Sequence, residues 1–577
     1  MKFRLHTWLI LAALAAMIGL LFSPPPVSAH AYVVSSTPAA DETLAESPDE
    51  VTVDFNEPVE EGFHALTVTG PGGERVEAGN SKIDPERPTR LSVALSTDLA
   101  DGVYAANWKI VSGDGHPVSG TISFQIGQGG AGQDAAPKEI AARETDFPGW
   151  DLLAVRWLFY GGMAAYIGTI LFHLVLLPGR GLPGKGRLGR RSRTALLAGY
   201  AAASAGVLLS LLQQTAADAG SGWSKAWDPY SLGVTLKYTS FGEVWKGQAV
   251  LMAVLLGFTL LLLRSGSPSQ KRAAENGGFG RADRKPTGLL LLGAAFLCSL
   301  GLLLAKAKIG HAATASLQSI AVAADFLHLA AALIWLGGVG ALAFLLPAAN
   351  QANSAEGVAS GTLTRQAVRR FSAVAAGSVA LLLATGIYGS LLHVPTWYAL
   401  SHTDYGRVLL AKVGLTLVCM ALGLSAFLRG RKPESHPLGP GVWAELGVGL
   451  IVLVLAALLA NLPTAAADPG PAQLAWSLPD GSRIVVDITP NRVGTNAFQA
   501  SVVGSDGQPR NDIEQVTLEL TSKEMDMGRI EVTLPGGGSP QPAEELVTMS
   551  GRWNVHVHIL FKSLDAWDHD FEINVGG

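Results

Sequence analysis

The feature that most constrains this sequence is a series of long apolar runs between about residue 150 and residue 464. A helix needs about 20 apolar residues to cross a bilayer, and about eight runs approach that length. Charged residues make up 15% of the chain and the mean hydropathy is +0.30, as expected for a membrane protein. The eight predicted spans begin near Leu152, Thr194, Val244, Gly288, Leu317, Ala373, Val408 and Val442.

The loops between these runs differ in charge, and this predicts their orientation. The loops after the first, third, fifth and seventh runs are rich in Lys and Arg, whereas the alternate loops are poorer in both. Basic loops stay on the cytoplasmic side, so an even number of spans places both termini outside. The basic residues are Arg180, Lys185, Arg187, Arg190, Arg191, Arg193, Arg264, Lys271, Arg272, Arg281, Arg284, Lys285, Arg365, Arg369, Arg370, Arg429, Arg431 and Lys432.

Residues 1–29 have the composition of a secretory signal peptide. A basic start, "MKFRLH", precedes the apolar run "WLILAALAAMIGLLF" and the small-residue stretch "SPPPVSA". This pattern predicts cleavage after Ala29, which makes His30 the first residue of the mature chain. The alternative is an uncleaved anchor, in which His30 is an ordinary loop residue.

Two β-rich regions flank the apolar part of the chain. Residues 30–127 and 473–577 contain short alternating runs, such as "VTVDF" and "WNVHVHILF", which are separated by Gly, Pro and Asp. The predicted architecture is an N-terminal immunoglobulin- or cupredoxin-like β-sandwich, an all-α bundle of about eight transmembrane helices over residues 150–465, and a C-terminal β-sandwich-like domain. The Gly-rich residues 128–149 read as a flexible linker.

The predicted mature N-terminus offers an unusual set of metal ligands. His30 would supply both a free α-amine and an imidazole, and the segment "SGDGHP" adds Asp114 and His116. Three nitrogens and one oxygen suit tetragonal Cu(II), which such ligands bind more tightly than other divalent first-row metals. Alternatively, the Asp114 side chain caps backbone amides in a plain surface turn.

The stretches "HAYVVSSTPAADETL", "VTVDFNEPV" and "YAANWKIVSGDGHPVSGTISFQIG" resemble the CopC copper-binding domain. The resemblance spans nearly all of residues 30–127. It implies that His30, Asp114 and His116 bind Cu(II), and that Glu57 supports the site from an outer position. It does not imply a Cu(I) site here, because the region has no Met once residues 1–29 are removed.

Ionisable residues within the apolar runs are costly in a bilayer and are often functional. Asp325 and His328, three positions apart, share one face of the fifth predicted helix, and His311 lies in the preceding external loop. The alternative is a polar cluster that only fixes helix packing. Glu445 could extend its side chain to the inner membrane interface.

The stretches "GHAA", "DFLHLAAALIWLGGVGAL", "TGIYGSLL" and "YGRVLLAKVGLTL" resemble the CopD family of inner-membrane copper proteins. CopC followed by CopD in one chain resembles fusion proteins associated with copper movement across the cytoplasmic membrane. The resemblance implies that His311 and His328 are candidate copper ligands on a membrane path, with Asp325 as a supporting group.

The C-terminal region contains a second candidate metal site. His556 and His558 alternate on a predicted strand, so both would lie on one face, and Met525 and Met527 would align if their segment is extended. Two thioethers and two imidazoles would suit Cu(I). The stretches "MDMG" and "SGRWNVHVHI" resemble YtkA-like or FixH-like domains. The alternative is a solvated strand face beside two packing methionines.

The sequence therefore predicts a copper-binding protein of the cytoplasmic membrane that transports copper, with uptake favoured, and not an enzyme. Its expected partners are copper ions, the lipid bilayer and other copper chaperones. Nucleic acid is excluded, because the net charge of −5 is spread along the chain. Copper resistance by sequestration or export remains an alternative, as do an oxidoreductase and a b-type cytochrome that uses membrane histidines. "GQGGAG" lacks the Lys of a phosphate loop, which argues against an ATP-driven pump.

Overall fold

The computed structural model contains two β-sandwiches and a bundle of long helices, in the predicted order. It describes residues 33–39, 42–55, 58–59, 62–97, 99–111, 117–127, 149–177, 182, 186–219, 223, 225–265, 286–309, 318–354, 360–430, 439–477, 480–510, 512–523, 529–535, 543–547 and 550–576. The predicted signal peptide and most of the predicted linker and basic loops lie outside these residues.

The first sandwich consists of two four-stranded sheets, with strand orders β1-β3-β6-β5 and β2-β8-β7-β4. Alternate residues of its strands point inward, and side chains such as Val53, Leu91, Tyr104 and Phe124 form the core between the sheets. The strands are β1 (Val33–Thr37), β2 (Thr43–Leu44), β3 (Glu50–Phe55), β4 (Ala65–Thr69), β5 (Lys82–Ile83), β6 (Arg90–Ala94), β7 (Gly102–Val111) and β8 (Pro117–Ile126).

Eight helices of the described chain are long and apolar enough to cross a membrane, which confirms the predicted number. They belong to α1 (Trp150–Leu171, continued by a π-helical turn at Phe172–Leu176), α2 (Gly186–Asp218), α4 (Ser240–Ser265), α5 (Pro286–Ala307), α6 (Gln318–Phe344), α8 (Ser360–His393), α10 (Asp404–Gly430) and α11 (Gly439–Leu459). Three shorter helices, α3 (Pro229–Tyr238), α7 (Leu346–Ser354) and α9 (Trp397–His402), connect or follow them.

Two helices begin well before the predicted positions near Thr194 and Ala373. Helix α2 begins at Gly186 and α8 begins at Ser360. Hydropathy detects only the apolar part of a helix, whereas Arg is a good helix former and extends both helices beyond their apolar runs. The added turns contain several of the basic residues that predict the cytoplasmic side.

Small residues bring the central helices into close contact. A Cβ atom on Gly168 of α1 would overlap the backbone oxygen of Gly337 on α6, and one on Gly162 would collide with the backbone of α2. Such glycines allow the close backbone approach that drives helix packing in membranes. Trp157 Nε1 also donates to the Leu450 carbonyl of α11, at 3.4 Å.

The C-terminal domain is a second sandwich, with strand orders β14-β11-β10-β9 and β13-β12-β15-β16. The fully buried Trp553 belongs to its core, together with residues such as Leu518 and Phe498. The strands are β9 (Ala472–Ser477), β10 (Arg483–Thr489), β11 (Gly494–Val503), β12 (Ile513–Ser522), β13 (Arg529–Pro535), β14 (Ala543–Val547), β15 (Gly551–Phe561) and β16 (Ala566–Val575).

Candidate functional site

The candidate Cu(II) ligands of the first domain lie outside the described residues, so their geometry stays a prediction. These residues are His30, Glu57, Asp114 and His116. Each lies within three residues of a described strand end. His30 precedes Val33 by three residues, Glu57 follows Phe55 by two, and Asp114 and His116 lie between Val111 and Pro117.

The strand ends that flank these four residues lie at one end of the sandwich. Val33 of β1 pairs with Phe55 of β3, and Val111 of β7 pairs with Pro117 of β8. The two sheets meet through Phe55 and Trp108, whose ring centroids are 5.1 Å apart with an interplanar angle of 71°. Strands from both sheets therefore end near one another, on the side where the candidate ligands attach.

The same end of the sandwich contacts the helical bundle. Gly62, in the connection between β3 and β4, lies against α3, where a Cβ atom at Gly62 would be 2.6 Å from Val234 Cγ1 and 3.6 Å from Tyr238 Cβ. Helix α3 connects α2 to α4 on the side of the bundle where α1 begins at Trp150. We call this side, to which the chain joins both sandwiches, the β-domain side.

His328 is half-buried on α6, about 15 Å along the helix from its start at Gln318. Its Nδ1 atom lies 2.9 Å from the Thr385 hydroxyl oxygen of α8. Thr385 donates its own proton to the Leu381 carbonyl at 2.7 Å, so the hydroxyl accepts from the imidazole. Nδ1 then carries the ring proton and Nε2 keeps its lone pair, which is the tautomer that can bind a metal through Nε2.

Asp325 lies one turn from His328, and its side chain is exposed along α6. Three basic side chains interact electrostatically with its carboxylate, and they come from three other helices. Lys412 lies on α10, Arg156 on α1 and Lys306 on α5. Arg156 also donates to the Ala460 carbonyl at 3.0 Å, just beyond the end of α11.

The predicted pairing of Asp325 and His328 on one helical face agrees with the helix observed over Gln318–Phe344. His311 lies outside the described residues, so its distance from this pair stays a prediction. Within the described ranges, no three His, Cys, Asp or Glu side chains form a group that could hold a metal ion. This part of α6 thus presents one imidazole and one carboxylate, with Lys412, Arg156 and Lys306 as the basic groups that interact with the carboxylate.

In the C-terminal domain, His556 and His558 lie on the same face of β15, as the sequence predicted. Val555, Val557 and Ile559 are buried on the opposite face, which confirms the alternation. Met525 and Met527 lie outside the described residues, so their contact with the two histidines stays a prediction.

Both C-terminal histidines contact aspartates of the neighbouring strand β16, which the sequence reasoning missed. His556 Nδ1 lies 3.0 Å from Asp570 Oδ1, and His558 Nδ1 lies 2.7 Å from Asp568 Oδ1. A hydrogen bond from Asn554, and then one from His556, hold the pKa of Asp570 below its usual value. The segment "WDHDF" follows "NVHVH" along the chain, and its alternating aspartates are the sequence signal that could have predicted these cross-strand His–Asp pairs.

Glu445 does not extend to the membrane interface, which corrects the sequence-based expectation. Its side chain is 5% exposed and lies inside the bundle, between α11, α6 and α10. The indole of Trp335 on α6 donates a hydrogen bond to the carboxylate. Gly423 on α10 leaves room for it, since a Cβ atom there would be 3.1 Å from Glu445 Oε1.

Comparison with known protein families gives three matches along the chain. Residues 33–127 match the CopC domain. Residues 146–317 match the copper resistance protein D-like N-terminal domain, and residues 365–459 match copper resistance protein D. The last match includes Thr385, Lys412 and Glu445.

Among curated proteins, the copper transport protein CutJ of Bacillus subtilis is 33% identical over 560 residues, covering 96% of each chain. Copper resistance protein C of Escherichia coli is 29% identical over 116 residues, or 19% of this chain and 89% of that protein. Among solved structures, CopC from Methylosinus trichosporium OB3b is 28% identical, with a TM-score of 0.16, covering 17% of this chain and 93% of that one.

Proposed function

We propose, for a chain that belongs to the CopC–CopD fusion family of the copper transport protein CutJ, that it captures Cu(II) outside the cytoplasmic membrane and carries copper across that membrane into the cell. The β-domain side of the bundle faces outward, and both sandwiches are extracytoplasmic. Copper is the transported substrate, and the protein acts as a carrier without catalysing a reaction on another molecule.

In the proposed capture step, Cu(II) binds the His30 α-amine and imidazole, Asp114 and His116, and Glu57 supports the site from its periphery. The positions of the described strand ends support this ligand set. A chain spans at most about 3.6 Å per residue, so three residues or fewer from a strand end keep each ligand close to that end. Val33, Phe55, Val111 and Pro117 bring those ends to one side of the sandwich.

The contact of Gly62 with α3 is the observation that carries the proposal most directly. It directs the ligand-bearing end of the sandwich toward the bundle instead of toward bulk solvent. A copper ion released at that end lies on the β-domain side of the bundle, the side nearer to Asp325 and His328 on α6. Transfer between the two sites then needs no large rotation of the sandwich.

Within the bundle, we assign the first binding step to His311 and His328, with Asp325 as the supporting charge. The Thr385 hydrogen bond supports this assignment because it leaves Nε2 of His328 as the unprotonated nitrogen. A neutral imidazole adds no positive charge to the group formed by Lys412, Arg156 and Lys306. Copper therefore binds by coordination at a place where basic side chains disfavour a bare hydrated cation.

The C-terminal domain supplies a separate site in this proposal. Met525, Met527, His556 and His558 bind Cu(I), and other copper chaperones exchange copper with this domain. Soft thioether ligands favour Cu(I), whereas the outer site at His30 has only nitrogen and oxygen donors. The C-terminal site therefore takes copper that is supplied as Cu(I), whereas the outer site takes Cu(II).

Copper accumulation in cells tests the direction and the sites together. Cells with the intact protein should contain more copper than cells without it, and His116→Ala or His328→Ala should abolish the difference. His402→Ala is the matched control, since His402 is exposed on the β-domain side and is assigned to neither site. Lower copper with the intact protein would refute uptake and favour resistance by export.

Spectroscopy of the purified full chain tests the chemistry of the outer site. We expect a tetragonal Cu(II) electron paramagnetic resonance signal with nitrogen couplings, lost in His116→Ala and retained in His402→Ala. A Soret absorption band in the purified protein would instead favour the b-type cytochrome alternative. Copper-dependent turnover of ascorbate or peroxide would favour an oxidoreductase.

A further inference from the structure

The buried carboxylate of Glu445 has no role in the copper path proposed above. It lies in α11, about 9 Å along the helix from Gly439, in the half of the bundle opposite the β-domain side. This helix contains the most apolar stretch of the eight. Ionisable groups at such depth are rare in membrane helices, because their charged form is poorly solvated.

The surroundings of Glu445 contain no compensating positive charge among the described residues. Helix α6 contributes the neutral Trp335 indole, which donates a hydrogen bond. Helix α10 contributes Gly423 and the thiol of Cys419, whose sulfur lies 3.7 Å from the Glu445 carbonyl oxygen. A buried carboxylate without a cationic partner costs several kcal/mol when ionised, so it takes up either a proton or a metal cation.

Positions on one face of each of two helices lead from Glu445 toward the β-domain side. On α10, Lys412, Thr416, Cys419 and Gly423 follow one another at intervals of four, three and four residues, which places them on one face. On α6, Trp335 follows His328 by seven residues, or two turns, on the face that carries Asp325. The two faces meet at Glu445. We use the name polar stripe for these positions on the two helices, which are Lys412, Thr416, Cys419, Gly423, His328 and Trp335.

We propose that Glu445 exchanges a proton for copper during transport, so that copper movement is coupled to proton movement in the opposite direction. The inference rests on the proposed copper transport and names the ion that is exchanged for copper. The protonated carboxyl releases H⁺ to the aqueous phase when copper moves along the polar stripe, and the copper cation then balances the carboxylate. When copper leaves, the carboxylate takes up H⁺ again. For Cu⁺, formed from captured Cu(II) by an external one-electron reductant such as ascorbate, one positive charge replaces another.

Transport in proteoliposomes tests this coupling. Intact protein is reconstituted into lipid vesicles, Cu(I) is supplied outside with ascorbate, and an acidic interior is imposed with no membrane potential. For one-for-one exchange of Cu⁺ and H⁺, a gradient of one pH unit should sustain about a tenfold accumulation of copper inside. Glu445→Gln should move copper down its own gradient but accumulate none.

The matched control is Glu243→Gln, which makes the same chemical change at an exposed glutamate at the start of α4, paired with Lys246. This variant should accumulate copper like the intact protein. If Glu445→Gln accumulates copper to the same ratio, or if the intact protein transports copper without responding to the gradient, the proton-exchange inference is wrong and copper transport stands. If the intact protein moves no copper at all, the proposed function itself fails.

A second variant keeps the inference testable if Glu445→Gln does not fold. In Gly423→Ala, the added methyl group would lie 3.1 Å from Glu445 Oε1 and 3.6 Å from its Cδ, so the carboxylate must shift. The pH at which coupled accumulation is half-maximal should change in this variant and not in Glu243→Gln. An unchanged pH dependence in Gly423→Ala would overturn the assignment of the exchange to Glu445.

Discussion

Thr385→Val tests whether the hydrogen bond to His328 prepares the imidazole for copper. Valine has nearly the shape of threonine, so the packing of α8 against α6 is kept while the acceptor for Nδ1–H is lost. The 2.9 Å contact between Nδ1 and the hydroxyl is the only hydrogen bond that the described residues give this ring. Without it, the proton is free to move to Nε2, and the ring is free to rotate.

The expected magnitude follows from the cost of losing one such bond. A buried hydrogen bond contributes about 0.5–1.5 kcal/mol, and the partner of a metal-binding imidazole typically changes metal affinity by 10–100-fold. The two ranges overlap near 1.4 kcal/mol, which corresponds to about tenfold. We therefore expect Thr385→Val to raise the copper concentration for half-maximal transport about tenfold, and Thr385→Ser to restore it.

The assay is copper transport against copper concentration, with protein levels in the membrane measured in parallel. The control is Thr169→Val, which also removes a hydroxyl that donates to a carbonyl four residues earlier, at 2.8 Å, on α1. A merely structural effect would reduce protein level or maximal rate in both variants. If Thr385→Val behaves like Thr169→Val while His328→Ala abolishes transport, the positioning argument is wrong.

Two further predictions concern stability. Gly168→Ala places a methyl group on a backbone oxygen of α6, so we expect the free energy of unfolding to fall by about 1–3 kcal/mol and the thermal midpoint in detergent to fall with it. The control is Gly161→Ala, where a methyl group meets nothing within 4 Å, and it should leave the midpoint unchanged. In the C-terminal domain, the Arg510 hydrogen bond holds the pKa of Asp512 below its usual value, so the stabilisation is present above the unfolded pKa, near 4, and is lost as the pH falls through the folded pKa. Asp512→Asn should therefore lower the midpoint at pH 7, and the loss should shrink as the pH falls below about 4; a loss that does not change with pH would contradict the ion-pair explanation.

Local patterns predicted the architecture because each depends on neighbouring residues. The alternation of Val555, His556, Val557 and His558 sets the two faces of β15 wherever that strand packs. The eight apolar runs likewise predict eight helices, since a bilayer accepts few other structures. The starts of α2 and α8 were missed because helix formation continues past the apolar residues that mark a span.

The partners of the candidate site residues could not be predicted in this way. Thr385 lies 57 residues from His328, and only the packing of α8 against α6 brings the two together. In "GVWAELGVG", Glu445 is compatible with an interfacial side chain as well as a buried one, because the choice depends on Trp335 and Gly423 in other helices. Sequence thus identifies groups that can bind copper or a proton, whereas tertiary packing decides their tautomer and their access to water. Two contacts between helices should therefore matter most among substitutions that leave every candidate metal ligand in place. They are the contact of the Thr385 hydroxyl with His328 and that of the Trp335 indole with Glu445.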